Sequence, residues 1–256
     1  MPFIIDQTIC RTDNVAVLVH DPASGETIAI DAPDAEAIAA RLRERGWRLT
    51  AILNTHRHHD HVAGNAALKA ATGCTIVGPA GEAEAIPAID GAVGEGDTIA
   101  FGGTTIDVLE TPGHTMGHIV YRIPSENLAF VGDVMFSLGC GRIVEGAAEA
   151  MWGSLAKLAA LPRETIVYCG HDNTADNGRF AVTVEPHNID LAARVAEVAA
   201  LRRKGLPTTP TTIGQEQATN PFLRAGKRRL RRAIGMEDAE PAAVFAELRR
   251  RKDAFA

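Results

Sequence analysis

The histidine-rich run THRHHDH at residues 55–61 constrains this chain more than any other segment. It directly follows an apolar stretch that reads as a strand, and it directly precedes a predicted helix. In extended chain, residues i, i+2 and i+4 project to one side, which puts His56, His58 and Asp60 on a common face until the helical turn brings in His61. Imidazole nitrogen and carboxylate oxygen suit zinc, iron or manganese. The run therefore predicts a metal site at the end of a strand.

Three more strand ends carry a candidate ligand. His114, Asp133 and His171 each follow a predicted strand and a glycine, which lets the backbone turn sharply. Together with the run they make five histidines and two aspartates. One tetrahedral ion needs about four ligands, so seven side chains indicate two ions. Arg57 and His59 face the other way in extended chain, and we expect them to be bystanders.

Composition bounds the class of protein. The chain has 256 residues, 46% of them hydrophobic and 23% charged, which is typical of a globular protein. No apolar run approaches the ~18 residues of a membrane span, and the first residues lack the basic and apolar segments of a signal peptide. We therefore expect a cytoplasmic protein whose four scattered cysteines are reduced. The net charge of −6 argues against nucleic acid as a partner.

The secondary-structure pattern changes near residue 172. Before it, β-branched runs predict strands at residues 14–20, 27–31, 50–54, 75–78, 104–110, 118–123, 128–132 and 165–169. Helices are predicted over residues 35–45, 62–72 and 147–161. After it, helices are predicted from Asn188 and from Pro241. Residues 1–172 carry a net charge of −11 and residues 173–256 one of +5. We therefore predict an acidic layered domain over 1–172 and a smaller, basic, helical domain over 173–256.

The motifs THxHxDHxxG at 55–64, TPGHTxGH at 111–118, Gly132-Asp133 and Gly170-His171 resemble the metallo-β-lactamase superfamily. This resemblance implies an α/β fold, an αββα sandwich. It also implies ligand roles: one ion is held by His56, His58 and His114, the other by Asp60, His61 and His171, and Asp133 bridges them.

Within that superfamily the chain resembles glyoxalase II, the hydroxyacylglutathione hydrolases. The likeness extends through Gly139–Arg142, Tyr168–His171, Asn220–Arg224 and Arg249–Phe255. It implies hydrolysis of S-2-hydroxyacylglutathione, with S-D-lactoylglutathione giving D-lactate and glutathione, in methylglyoxal detoxification. The implied cofactors are two divalent ions, zinc first, with iron or manganese as alternatives, which share the attacking hydroxide.

The resemblance also implies roles for residues outside the ligand set. Asp60 would orient the attacking water and take its proton. His118 would support a ligand by hydrogen bonding, or would be a buried core histidine. Arg142, Arg249 and Lys252 would bind the carboxylates of glutathione, since i, i+3 cations share a helix face.

Two departures affect the substrate. The family commonly has an aromatic residue at the position of Val144 and a tyrosine at that of Asn173, and both would touch the thiol moiety. Alternatives therefore stay open: another thioesterase or lactonase of the same fold, a one-iron persulfide dioxygenase, or a non-catalytic metal-binding protein. We expect a small-molecule partner, no membrane, and a monomer or weak dimer.

Overall fold

A mixed six-stranded sheet forms the start of the chain. This computed structural model describes residues 2–255. The strands of the sheet lie side by side in chain order. They are β1 Ile4–Cys10, β2 Asn14–His20, β3 Glu26–Ile30, β4 Arg48–Leu53, β5 Thr75–Pro79 and β6 Gly91–Val93. The first three pair antiparallel, and β3 to β6 pair parallel. Because parallel strands end at the same edge, the chain after β3 and after β4 emerges on one side of the sheet.

An antiparallel meander follows. It consists of β7 Thr98–Phe101, β8 Thr104–Glu110, β9 Ile119–Ile123 and β10 Leu128–Gly132. Tyr121 on β9 is fully buried, and its hydroxyl donates to the carbonyl of Asn54 at 2.9 Å, just beyond β4. The N–H of Ile119 donates to the carbonyl of Thr55 at 2.9 Å. These bonds tie the start of β9 to the beginning of the histidine run.

Helices α1 Ala35–Arg45 and α3 Asn65–Thr72 contribute to the core beside the mixed sheet. Ile38, Leu42 and Leu68 from these helices pack in one buried cluster with Leu18 and Ile52 from the strands. Each is at most 5% exposed, and burying such a side chain stabilises the fold by roughly 1.5–3 kcal/mol.

The single helix predicted over residues 62–72 is wrong. The chain forms α2 His59–Val62 and then α3, with a break at Ala63 and Gly64. Gly64 donates its N–H to the carbonyl of Ala32 at 2.8 Å, and a Cβ there would lie 2.9 Å from that oxygen. This close approach to the chain after β3 interrupts the helix. Asp60 consequently lies within a helical turn rather than in extended chain.

The remaining elements belong mainly to the second half of the chain. They are α4 Ala148–Ala159, β11 Ile166–Cys169, α5 Thr174–Val184, α6 Ile189–Arg203, β12 Thr211–Thr212, α7 Ile213–Thr219, α8 Arg228–Ala233 and α9 Pro241–Asp253. Strands β11 and β12 pair antiparallel. The predicted helical character after residue 173 is confirmed, and so is the α/β class.

The chain divides into two compact units. The first runs to Glu110 and resumes over Gly117–Gly132, and the second comprises Thr111–Met116 and everything from Asp133 onward. The predicted domain boundary near residue 172 rests on sequence texture and stays a prediction. Between residues 2 and 255, none of the helices has the length and apolar character needed to cross a bilayer.

All four cysteines are free thiols and buried, as expected. They are Cys10, Cys74, Cys140 and Cys169.

Candidate metal centre

The histidine run lies in the first unit, directly beyond β4. His56 is fully buried, His61 is nearly so, and His58 and Asp60 are half-buried. Arg57 and His59 are both exposed, as expected of the two predicted bystanders. Asp60 and His61 follow one another in helix α2. The predicted ligands of this unit therefore lie close together.

Hydrogen bonds determine which nitrogen of His56 is available. The hydroxyl of Thr55 donates to Oδ2 of the buried Asp31 at 2.9 Å, and its oxygen lies 3.0 Å from Nδ1 of His56. Because that hydroxyl has given its hydrogen to Asp31, it accepts from Nδ1–H of His56. Nε2 of His56 therefore carries a lone pair, and it lies 3.1 Å from Nδ1 of His58.

The same carboxylate orients His61. Nδ1 of His61 donates to Oδ2 of Asp31 at 2.9 Å, which leaves the Nε2 lone pair directed to Oδ2 of Asp60, 3.7 Å away. The Asp60 carboxylate also accepts from Nδ2 of the buried Asn14 at 3.1 Å. A ring lone pair that faces a carboxylate oxygen at this distance is a repulsive arrangement unless a cation lies between them.

The second unit contains an equivalent group. Oδ2 of Asp133 lies 3.5 Å from Nε2 of His114 and 3.3 Å from Nε2 of His171. Nδ1 of His114 donates to the carbonyl of Arg142 at 2.9 Å, so its Nε2 is again the nitrogen with the lone pair. His114 and Asp133 are 6% and 5% exposed. Two buried acceptor atoms that face one another are unfavourable unless a positive charge lies between them.

The donor sets in both units fit a divalent metal. They consist of imidazole nitrogens and carboxylate oxygens, which suit zinc, iron and manganese. In the first unit, nitrogen or oxygen atoms of Asp31, His56 and His61 lie within 4.8 Å of one another, and in this group Asp31 accepts from Nδ1 of His61. Residues next to the ligands supply the hydrogen bonds to the second ring nitrogen that metal-binding histidines need. The chain thus has the donors and the supporting contacts of a divalent metal site.

His118 is fully buried in the first unit. Its ring centroid lies 5.0 Å from that of His56. This position beside a candidate ligand is compatible with the supporting role that the sequence predicts, which stays a prediction.

The three predicted substrate cations differ in environment. Arg142 is exposed. Arg249 is only 6% exposed: its guanidinium donates to the carbonyl of Cys140 at 2.9 Å and pairs with Asp253 at 2.8 Å. Lys252 is half-buried, with its ammonium 5.8 Å from the ring centroid of Phe180. Arg249 is therefore held by the chain itself, whereas the ammonium of Lys252 makes no hydrogen bond or ion pair within the part of the chain that the structure describes.

Burial, followed by the charge of nearby Arg249, lowers the pKa of Lys252. A desolvated ammonium beside another cation gains more than an ordinary surface lysine from an anion that binds it. Val144 is 51% exposed and Asn173 is half-buried, so these two departures from the family pattern lie at least partly open to solvent.

Three residues that hydrogen-bond the candidate ligands or the chain beside them were not predicted from the sequence. They are Asn14, Asp31 and Glu82. Asp31 directly follows β3, the same strand-end placement that identified the ligands, and that signal was available. Glu82 is buried and accepts the N–H of Arg57 at 2.6 Å and that of Gly117 at 3.1 Å. Nothing in its local sequence marks it.

Two family models together match residues 9–255. One, described as the metallo-beta-lactamase superfamily, covers residues 9–171, and one described as the hydroxyacylglutathione hydrolase C-terminus covers residues 172–255. Among curated proteins, a hydroxyacylglutathione hydrolase of Rhizobium meliloti is 53% identical over 251 residues, 98% of either chain. One from Cereibacter sphaeroides is 52% identical over 255 residues, 100% of either chain.

Solved structures give a similar picture. ETHE1 from Myxococcus xanthus aligns over 99% of this chain and 100% of its own, with a TM-score of 0.67 and 28% identity. TTHA1623, crystallised in a di-iron-bound form, aligns over 87% of this chain and 100% of its own, with a TM-score of 0.59 and 25% identity. The similarity to the curated relatives includes the helical C-terminal third, so those relatives share this part of the chain.

Proposed function

This chain belongs to the metallo-β-lactamase superfamily and, within it, to the hydroxyacylglutathione hydrolases, and we propose that it hydrolyses the thioester of S-D-lactoylglutathione to D-lactate and glutathione. The observation that carries the proposal is the match over the whole length, including the C-terminal model that follows the metal-ligand motifs. A lactonase or a persulfide dioxygenase is not favoured, because the curated relatives that match the full chain at 52–53% identity are named hydroxyacylglutathione hydrolases.

We propose two divalent ions per chain. His56, His58 and His114 would hold one, Asp60, His61 and His171 the other, and Asp133 would bridge them. The number of donor atoms supports two ions, since a single ion takes about four ligands. Zinc is the first candidate, with iron and manganese as alternatives, because the donors are nitrogen and oxygen only.

Such a pair of ions supplies a water of lowered pKa and a Lewis acid for the thioester carbonyl. The residues of the chain contribute orientation. Asp60, whose carboxylate accepts from Asn14, would orient that water and take its proton. His118, buried next to His56, supports that ligand. A thiolate leaves without a general acid because the pKa of its conjugate thiol is only about 8.5.

The C-terminal cations recognise the thiol carrier. Glutathione has two carboxylates, and the exposed Arg142 and the half-buried Lys252 have charges available for them. Arg249 makes a third contribution, but its guanidinium already binds Cys140 and Asp253. We therefore assign it to shaping the binding surface as well as to charge.

Residues 1–172 would then form the catalytic domain and residues 173–256 the glutathione-binding domain. Free, buried thiols fit a reducing compartment, and we propose the cytoplasm. We further propose a monomer or weak dimer whose partner is the small-molecule thioester.

The test compares rates on S-D-lactoylglutathione and on a matched thioester of a neutral thiol. We expect kcat/KM to favour the glutathione ester by at least tenfold, since one charge-assisted hydrogen bond contributes roughly 1.5–3 kcal/mol. Equal values for both esters would retain the thioesterase chemistry and reject glutathione. No hydrolysis of either ester by metal-loaded protein would reject the proposed function.

A further inference from the structure

The segment Asp133–Arg142 is a buried loop with almost no regular structure. Every residue from Asp133 to Gly141 is buried, and only Arg142 is exposed. The loop closes on itself once, where Phe136 and Gly139 exchange N–H···O bonds of 3.0 and 3.1 Å. Leu138, within this turn, has a left-handed φ of 59°. A buried loop without a ladder must find its hydrogen bonds elsewhere.

A pair of side chains from the C-terminal third satisfies the turn. Nδ2 of Asn220 shares its two hydrogens among three acceptors: the carbonyl oxygens of Phe136 at 3.2 Å and Gly139 at 2.9 Å, and Oε2 of Glu216 at 2.9 Å. The same Oε2 accepts the N–H of Leu138 at 2.8 Å. Both side chains are fully buried. Glu216 and Asn220 thus occupy three backbone groups of a four-residue turn.

Other side chains of the same third hold the rest of the loop. Asn177 donates to the carbonyl of Ser137 at 3.1 Å, and the guanidinium of Arg194 donates to the hydroxyl of Ser137 at 3.3 Å. Arg249 donates to the carbonyl of Cys140 at 2.9 Å. The loop is therefore bound by C-terminal side chains from Phe136 to Cys140.

Both ends of this loop reach the candidate metal ligands. Asp133 is its first residue. At its far end the carbonyl of Arg142 accepts Nδ1–H of His114 at 2.9 Å and so fixes which ring nitrogen is available. The packing is close: a Cβ on Gly141 would lie 2.0 Å from the carbonyl oxygen of Asp133 and 3.0 Å from Nδ1 of His114. A shift of the turn therefore moves groups that touch both ligands.

Among residues 2–255, no guanidinium or ammonium lies within hydrogen-bond distance of the Glu216 carboxylate. It accepts instead from Leu138, Asn220 and the hydroxyl of Thr211, the last at 2.7 Å. Burying a carboxyl group costs free energy of folding, which its three hydrogen bonds only partly offset. A role in fixing the geometry of the turn explains why such a group is present here. An apolar residue would fill the same space with less cost, but it would leave the N–H of Leu138 unsatisfied.

We propose that Glu216 and Asn220 are positioning residues for the metal centre, which they act on through the Phe136–Gly139 turn. The C-terminal third then has a second task beyond binding glutathione: it sets the geometry of Asp133 and, through the Arg142 carbonyl, of His114. This inference rests on the proposed ligand roles of those two residues.

The test is Asn220→Leu, which keeps the volume and removes the contacts of Nδ2 with all three acceptors. We expect the dissociation constant for Zn²⁺, measured by chelator competition on the full chain, to rise ten- to a hundredfold, as for other residues that orient metal ligands. We also expect kcat to fall, because the ions lose their geometry. Glu216→Gln keeps the acceptor oxygen for Leu138 and Asn220, and it should restore most of the affinity relative to Glu216→Leu.

The matched control is Asn188→Leu. Asn188 lies in the same third and donates to the carbonyl of Ala218 at 2.9 Å while its oxygen caps α6, so its loss destabilises the segment without touching the loop. We expect it to lower the melting temperature and leave the zinc dissociation constant within about twofold. Zinc affinities that fall equally in both variants, or that stay unchanged in Asn220→Leu, overturn the proposal.

The ligand role of Asp133, on which the proposal rests, has its own test. If Asp133→Ala binds Zn²⁺ as the wild type does, the ligand assignment falls and the positioning proposal falls with it. If Asn220→Leu does not fold, the comparison of Glu216→Gln with Glu216→Leu decides the question on the same measurement. In that case the proposal is rejected when the two Glu216 variants bind zinc equally.

Discussion

Oδ2 of Asp31 lies 2.9 Å from Nδ1 of His61, and the same oxygen accepts the hydroxyl of Thr55. One buried carboxylate thus orients His61 directly and His56 through Thr55. Because Nδ1–H of His61 is donated to Asp31 and that of His56 to Thr55, Nε2 is the ring nitrogen that each histidine has available. This carboxylate lies outside the predicted ligand set and yet decides how two of its members are aimed.

Replacing this carboxylate tests its role. We expect Asp31→Ala to weaken zinc binding ten- to a hundredfold, since a residue that hydrogen-bonds a ligand typically has that effect. Chelator competition measures it. Asp34→Ala is the control, because Asp34 caps α1 by accepting the N–H of Ala37 at 3.0 Å. Its loss should cost about 1 kcal/mol of stability and leave metal affinity unchanged. Equal affinity in both variants contradicts the role of Asp31.

Elemental analysis tests the number of ions. Asp133→Ala should lose both ions together, because its carboxylate serves each, whereas His171→Ala should mainly empty the second site. The structure places Oδ2 of Asp133 beside Nε2 of both His114 and His171, as such sharing requires. One ion per chain in a fully loaded wild-type preparation contradicts the dinuclear centre.

Lys252 carries the prediction on substrate charge. Lys252→Ala should raise KM for the glutathione ester about tenfold or more and leave kcat nearly unchanged, because binding far from the scissile bond acts equally on ground and transition states. Rising salt should weaken wild-type binding more than binding by the variant. Arg250→Ala is the control, since its side chain is 70% exposed and pairs with Glu247. A KM for Lys252→Ala equal to that of the control argues against glutathione.

Arg249→Ala should behave differently from Lys252→Ala. The sequence predicts that Arg249 binds a glutathione carboxylate, but its side chain is 7% exposed and its guanidinium donates to the carbonyl of Cys140. Its loss leaves that buried oxygen unsatisfied, so the melting temperature should fall together with the rise in KM. A variant with the thermal stability of the wild type contradicts this reading of the contact.

Acid unfolding tests the ion pair between β1 and α1. Burial alone would raise the pKa of Asp6, but hydrogen bonds from Arg41 and Arg45 outweigh it and lower the pKa from its ordinary 3.8. The folded state then binds fewer protons than the unfolded state, so this stabilisation is present above pH 3.8 and is lost as pH falls through the lowered pKa. Asp6→Asn should be less stable at pH 7 and should lose less stability on acidification, in denaturant titrations at each pH. Glu84→Gln, at an exposed acid, should follow the wild-type curve.

Local signals in the sequence predicted much of the fold. Asp34 and Asn188 accept the helix N–H bonds that their residue types predict, and Gly46 ends α1 with a left-handed φ of 66°. Strand β1 had no such signal: it lies at the edge of its sheet, and its sequence IIDQTIC lacks the regular alternation of polar and apolar residues that marks a half-buried strand. The break before α3 was also missed, because its cause is the carbonyl of Ala32, about thirty residues earlier in the chain.

The sequence by itself determined the chemistry of the donors and their placement at strand ends, because residue type and strand periodicity are local properties. Tertiary structure alone decided how those donors are aimed. Asp31 reaches His61 across 30 residues, and Asn220 reaches the carbonyl of Phe136 across 84. Such partners depend on where the chain returns in space, and a hydrogen bond is satisfied equally well by many residues, so no local pattern identifies the one that makes it.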